Sequence, residues 1–141
     1  MTVVVGYTPS GQGIAALAAA VRQARRTGKH LVVASHLYND PDAGPTAADE
    51  DAVRSALTDL DAADVPATVR TCTGSDIGES LLEAAREAEA ELLVIGLRRK
   101  SPIGKLNLGA SARKVFLLST CPVLAVKDEH VTPGAAHHAR V

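Results

Sequence analysis

The sequence predicts an α/β fold, a doubly wound five-stranded parallel sheet with helices on both faces. Short apolar runs without charge recur at residues 3–5, 31–34, 92–95 and 121–126, and such runs read as strands buried on both sides. Between them lie stretches whose apolar residues return at helical spacing. With a half-polar strand at 67–72, the order is β-α-β-α-β-α-β-α-β, that of parallel strands joined by helical crossovers.

The first strand, Val3 to Val5, is marked off by Gly6, and residues 7–11 read as a turn with Ser10 as a natural helix cap. Ile14, Leu17 and Val21 then share a helical face, with Arg25, Arg26 and Lys29 at the carboxyl end and Gly28 as terminator. The second strand, 31–34, runs out into Ser35, His36 and Leu37. Residues 39–45 (N-D-P-D-A-G-P) read as a mobile loop, and Thr46 with Asp49 as a capping signal for a helix with Val53, Leu57 and Leu60 on one face. Residues 67–72 alternate as an edge strand does. Asp76 caps a third helix with Glu79 as its capping-box partner, and Ile77, Leu81, Leu82 and Ala85 form that helix's apolar face.

The chain has 141 residues, the size of one domain. It is 46% hydrophobic with two tyrosines, one phenylalanine and no tryptophan, so its core is built from Val, Leu, Ile and Ala. A formal net charge of −1 points to neither nucleic acid nor an acidic membrane. No apolar run reaches the ~18 residues that span a bilayer, and the N-terminus does not read as a secretory signal. Cys72 and Cys121 fit neither a metal-ligand spacing nor a disulfide framework and read as ordinary thiols.

The chemistry concentrates in residues 92–127. The strand at 92–95 is stopped by Gly96; a loop carrying Arg98, Arg99, Lys100 and Lys105 closes on Gly109; Ala110 and Ser111 then open a helix with Val115 and Leu118 on one face. A glycine at a strand's carboxyl end lets backbone approach a ligand with no Cβ in the way. A glycine at a helix start leaves first-turn N–H groups free to hold an anion. As plain structure the glycines would be loop and helix-boundary residues and the cations a solvated face. Cations between two such glycines favour instead a small phosphorylated ligand.

The same stretch resembles the universal stress proteins, which carry G-x2-G-x9-G-(S/T) between the fourth strand and last helix and then a C-P-V-L-type strand. Gly96 and Gly109 match the first and last glycines. The runs S-P-I-G-K-L at 101–106, L-G at 108–109 and C-P-V-L at 121–124 are similar to a common bacterial form of the loop. Arg99 replaces the middle glycine, and Ala110 replaces the Ser/Thr. The resemblance covers about residues 2–127 and implies one nucleotide-binding domain, 1–127, while 128–141 reads as a disordered tail from its composition.

The resemblance also implies strand order 3-2-1-4-5, with the first and fourth strands side by side and the ligand outside their carboxyl ends. Family members that bind ATP use a first-strand Asp, backbone at the end of the second strand, and the glycine motif. Residue by residue these are Thr8, Leu37, Gly96, Arg99, Gly109 and Ala110, with Ser111 adjacent. The full candidate set is Tyr7, Thr8, Ser10, Leu37, Ile95, Gly96, Arg98, Arg99, Lys105, Gly109, Ala110 and Ser111. The resemblance implies ATP or AMP as ligand; Thr8 is neutral where the family has a carboxylate, which speaks against a divalent metal.

The implied function is that of a cytoplasmic stress-response module, dimeric and regulatory. The alternative is a module that has lost nucleotide binding and works through protein contacts; slow ATP hydrolysis or nucleotidyl transfer ranks below both. The last strand is apolar up to Lys127, an edge that needs cover, and the homodimer is expected to join through residues 122–127. No catalytic constellation is visible. Ser10 and Ser111 lack His and Asp partners in an elbow motif. Glu83, Glu87 and Glu89 read as a solvated helix side, His36 as a packed or rim histidine, and His137 and His138 as tail residues without a third ligand.

Overall fold

The computed structural model describes residues 1–74, 76–97 and 110–127, the side chains of residues 39 and 40 excepted. The elements in order are β1 (Thr2–Tyr7), α1 (Gly11–Thr27), β2 (His30–His36), β3 (Tyr38–Asp40), β4 (Gly44–Thr46), α2 (Glu50–Asp59), β5 (Ala67–Cys72), α3 (Ile77–Glu87), β6 (Ala90–Leu97), α4 (Ala110–Leu118) and β7 (Val123–Lys127). Five strands form one sheet in the order β5-β2-β1-β6-β7, every pair parallel. Counting only these strands along the chain gives the expected 3-2-1-4-5. The expected tail, 128–141, lies outside the described residues.

The sheet is covered on both faces because alternate side chains of each strand point opposite ways. Val3, Val5, Leu31, Val33 and Val94 pack with Leu17 and Val21 of α1 and Val53 and Leu57 of α2. Val4, Val32, Ala34, Leu93 and Ile95 pack on the other face with Leu81 and Leu82 of α3 and Val115 of α4. Fully burying such a side chain contributes roughly 1.5–3 kcal/mol.

Local signals explain the helix ends. Ser10 holds extended backbone, and its hydroxyl accepts the Gly13 N–H at 3.2 Å. Gly28 ends α1 at φ 68°, left-handed backbone that glycine adopts without a Cβ penalty. The Asp76 carboxylate accepts the Glu79 N–H at 3.0 Å. The cap of α2 is Asp49, which accepts the Ala52 N–H at 2.9 Å; Thr46 instead ends the preceding strand.

Other expectations need correction. Gly6 and Gly96 do not stop their strands, because Gly6 pairs with Ala34 and Gly96 with Val126 in continuous ladders. The expected loop at 39–45 is largely an antiparallel ribbon in which Tyr38 pairs with Thr46 and Asp40 with Gly44. Ile14 is 45% exposed, since α1 lies on the sheet through its alanines, Ala16, Ala20 and Ala24. Leu118 is 58% exposed, because α4 packs on its face of the sheet through Val115, its one fully buried residue. Glu83 and Glu87 are not simply solvated, as both pair with Arg70 of the edge strand β5.

Candidate functional site

β1 and β6 lie side by side at the centre of the sheet. The chain leaves β1 for α1 on one face and β6 for α4 on the other, and the strand order runs outward in opposite directions from this pair. This is a topological switch point, where α/β sheets open a crevice beyond their carboxyl ends.

The β1–α1 wall of the crevice is a closed hydrogen-bonded turn. Thr8 is buried, and its hydroxyl lies 2.8 Å from the Ser10 hydroxyl. The Ser10 N–H donates to the Thr8 carbonyl at 2.8 Å, and the Ser10 carbonyl accepts from the Ile14 N–H at 2.8 Å. A Cβ on Gly13 would fall on the Thr8 carbonyl oxygen, so only glycine lets the helix start this close to the loop. Thr8 and Ser10, both expected at the ligand, are thus engaged with each other and with the helix start.

Gly96 completes this wall from β6. A Cβ there would fall on the Gln12 carbonyl oxygen. Its bareness serves the first turn of α1, whereas the sequence reading assigned it to the approach of a ligand. Ile95, 4% exposed, belongs to the core on the α3–α4 face, and Tyr7, 3% exposed, to the core on the opposite face. Burial pushes the Tyr7 phenol upward, reinforced by Tyr38 and then Asp59. Leu37 follows the end of β2, half-buried.

The opposite wall begins with Ala110 and Ser111 in the first turn of α4. Ala110 is exposed and Ser111 half-buried, and the Ser111 carbonyl oxygen is one of the atoms that crowd the Cβ position of Gly78 on α3. The Lys114 ammonium reaches across to Asp76 at 2.7 Å and to Glu79 at 3.5 Å. On the outer side of α4 a shallow recess of about 360 Å³ is lined by Ala110, Arg113, Lys114, Leu117 and Leu118. Arg98, Arg99, Lys105 and Gly109, expected at the phosphates, lie outside the described residues.

Two residues near this end gain definition from the structure. Ser35 is fully buried and donates from its hydroxyl to the Ala48 carbonyl at 2.7 Å, tying the end of β2 to the segment before α2. A polar residue closing an apolar strand is the signal that could have found it. The His36 ring lies beside Gly6, and its Nδ1 is buried with no hydrogen-bond partner of good geometry among the described residues. Desolvation lowers its pKa below the ordinary 6.5, with the Leu37 backbone acting in the opposite sense. Among the described residues no cluster of three His, Cys, Asp or Glu could hold a metal ion, and no helix is long and apolar enough to cross a membrane.

Comparison with known proteins assigns the family. The universal stress protein family matches residues 1–127. A universal stress protein of Mycolicibacterium smegmatis is 37% identical over 125 residues, covering 89% of this chain and 96% of that one. Among solved structures, a universal stress protein from Archaeoglobus fulgidus superposes with a TM-score of 0.70 at 26% identity, covering 90% of this chain and 98% of its own. A universal stress protein in complex with cAMP superposes at 0.63 with 25% identity, covering 91% and 97%. With the switch point and the strand order in place, this chain belongs to the universal stress protein family.

Proposed function

We propose that this protein binds an adenine nucleotide, ATP or AMP, at the carboxyl ends of β1 and β6. It acts as a dimeric regulatory or signalling module of the cytoplasm, without an enzymatic role. The observation that carries this reading is the switch point between β1 and β6, from whose carboxyl ends the chain runs into the turn before α1 and towards α4. The cAMP complex of a family member with the same fold supports the ligand class. With Thr8 in place of a carboxylate, and its hydroxyl turned to Ser10, the site offers a divalent metal little at this point. Arg98, Arg99 and Lys105 then neutralise the phosphates directly, and binding weakens with added salt because exposed charge contacts are screened. The apolar edge of β7, Val123 to Val126, half-buried and without charge, supports pairing of two copies there.

The same Thr8–Ser10 contact favours a second reading, in which the nucleotide has been lost and protein contacts remain. Titration calorimetry with ATP and AMP, with and without magnesium, separates the two. The expected result is binding that needs little or no magnesium. Arg99→Ala should remove a charge-assisted contact worth roughly 1.5–3 kcal/mol, about a ten- to hundredfold loss. If Arg99 blocks the site instead, Arg99→Gly binds better than the wild type. No heat from wild type, Arg99→Ala or Arg99→Gly ends the nucleotide reading and leaves the second.

A further inference from the structure

We infer that Lys114 is a positioning residue for the nucleotide site, fixing the first turn of α4 through Asp76 without touching the ligand. This rests on the nucleotide reading above. The Lys114 ammonium is directed at the neighbouring helix, 2.7 Å from Asp76 Oδ2 and 3.5 Å from Glu79 Oε2. Asp76 divides its carboxylate between two helices: one oxygen caps α3 by accepting the Glu79 N–H, and the other receives Lys114. One turn of α4 is thereby seated on the first turn of α3.

The backbone contact between these turns is equally close. A Cβ on Gly78 would stand 3.1 Å from the Ser111 carbonyl oxygen, 3.2 Å from Lys114 Cδ and 3.3 Å from Lys114 Cβ. Ser111 and Lys114, three residues apart, share one side of α4, so the contact that seats Lys114 also seats Ser111. Ala110 and Ser111 are the described end of the proposed phosphate loop. Their position is therefore tied to α3.

Two substitutions isolate the tie. Asp76→Asn keeps a good helix cap and discards the charge; Lys114→Met keeps the apolar stem and discards the ammonium. Each should raise the AMP dissociation constant about tenfold, within the usual range for coupling between a site and a contact outside it. The double variant should bind no worse than either single one, because both remove the same interaction, and Lys114→Arg should bind like the wild type. Stability in urea should barely move, since the pair is partly exposed at 34% and 53%. Gly78→Ala should weaken AMP binding by pressing the Ser111 carbonyl and shifting the first turn of α4, while the helix preference of alanine offsets the cost of that contact in stability.

Calorimetry and urea denaturation on these variants decide the matter. Loss of affinity in Lys114→Met with Asp76→Asn unchanged makes Lys114 a direct ligand contact and overturns the proposal. Affinity losses that track stability losses across the set overturn it as well, since the tie would then only hold the fold. A wild type that binds AMP alongside variants that all bind equally sinks this inference alone. A wild type that binds no AMP sinks the nucleotide reading and this one with it.

Discussion

On the β1–α1 side of the crevice backbone rests on backbone, whereas on the α4 side the helix is seated by a lysine and keeps much of its outer surface bare. Gly13 lies on the Thr8 carbonyl and Gly96 on the Gln12 carbonyl, with the Thr8 and Ser10 hydroxyls closing the turn. Across from them α4 is tied through the partly exposed Lys114–Asp76 pair, and Phe116, Leu117 and Leu118 are 40%, 75% and 58% exposed. The first wall has no room for a Cβ at Gly13 or Gly96. The second is held by contacts that side chains can exchange. A ligand between them meets one fixed surface and one adjustable surface, so any response to its presence is expected in α4 and in β7, which follows it.

The largest effects should come from disturbing the rigid wall. Gly13→Ala and Gly96→Ala each drive a methyl group into a carbonyl oxygen, and overpacking of this kind should cost about 3 kcal/mol, read from urea denaturation. Gly28→Ala is the control: nothing lies within 4 Å of its Cβ position, and only the left-handed φ of 68° opposes it, about 1–2 kcal/mol. Alanine within a helix is otherwise favoured over glycine by up to about 1 kcal/mol. A stability gain in Gly13→Ala would therefore show that the turn is looser than the geometry requires.

A smaller effect separates the walls by pH. His36 lies beside Gly6, opposite Cys72 in the register with β5, where Arg70 is also paired to α3. Burial lowers its pKa in the folded protein, so the unfolded chain binds the proton more readily. The stability due to neutral His36 is complete above the ordinary value of 6.5 and is lost as pH falls from there through the lowered folded value. Asp64 and Asp76, both held below the usual carboxylate range by hydrogen bonds from Arg25 and Lys114, act at lower pH. Denaturation midpoints between pH 7.5 and 5 should fall for the wild type and fall less for His36→Gln. Parallel profiles would show that His36 carries no such penalty.

The sequence revealed what short-range rules determine. Ser10, Asp76 and Gly28 end their helices as their residue types require, and the apolar runs lie in the sheet. It hid what depends on a distant partner. Gly6 and Gly96 look like terminators, yet they pair inside ladders because Ala34 and Val126 continue beside them. The purpose of Gly96 was invisible because Gln12, the residue that needs its bareness, is far away in sequence. The ribbon Tyr38–Asp40 with Gly44–Thr46 is written in turn-forming residues, and only cross-strand pairing makes it strand. Lys114 carried no motif at all; its partner Asp76 was legible only as a cap.

The smallest effect belongs to the outer surface of α4, where the comparison can also be turned against the proposed dimer. Leu117 is 75% exposed, so Leu117→Gln should change the stability of one copy by no more than about 0.5 kcal/mol. The half-buried strand β7 is different in kind. Its residues Val123 to Val126 present an apolar edge, paired among the described residues on the β6 side, and a second copy that adds a strand pairs the other side of the backbone and covers the apolar side chains together. Light scattering at micromolar concentration should report a dimer for wild type and Leu117→Gln alike. A wild-type monomer would remove the edge pairing. A dimer that dissociates only in Leu117→Gln would move the joining surface from β7 to the exposed face of α4, and the adjustable wall would then be the one that the second copy holds.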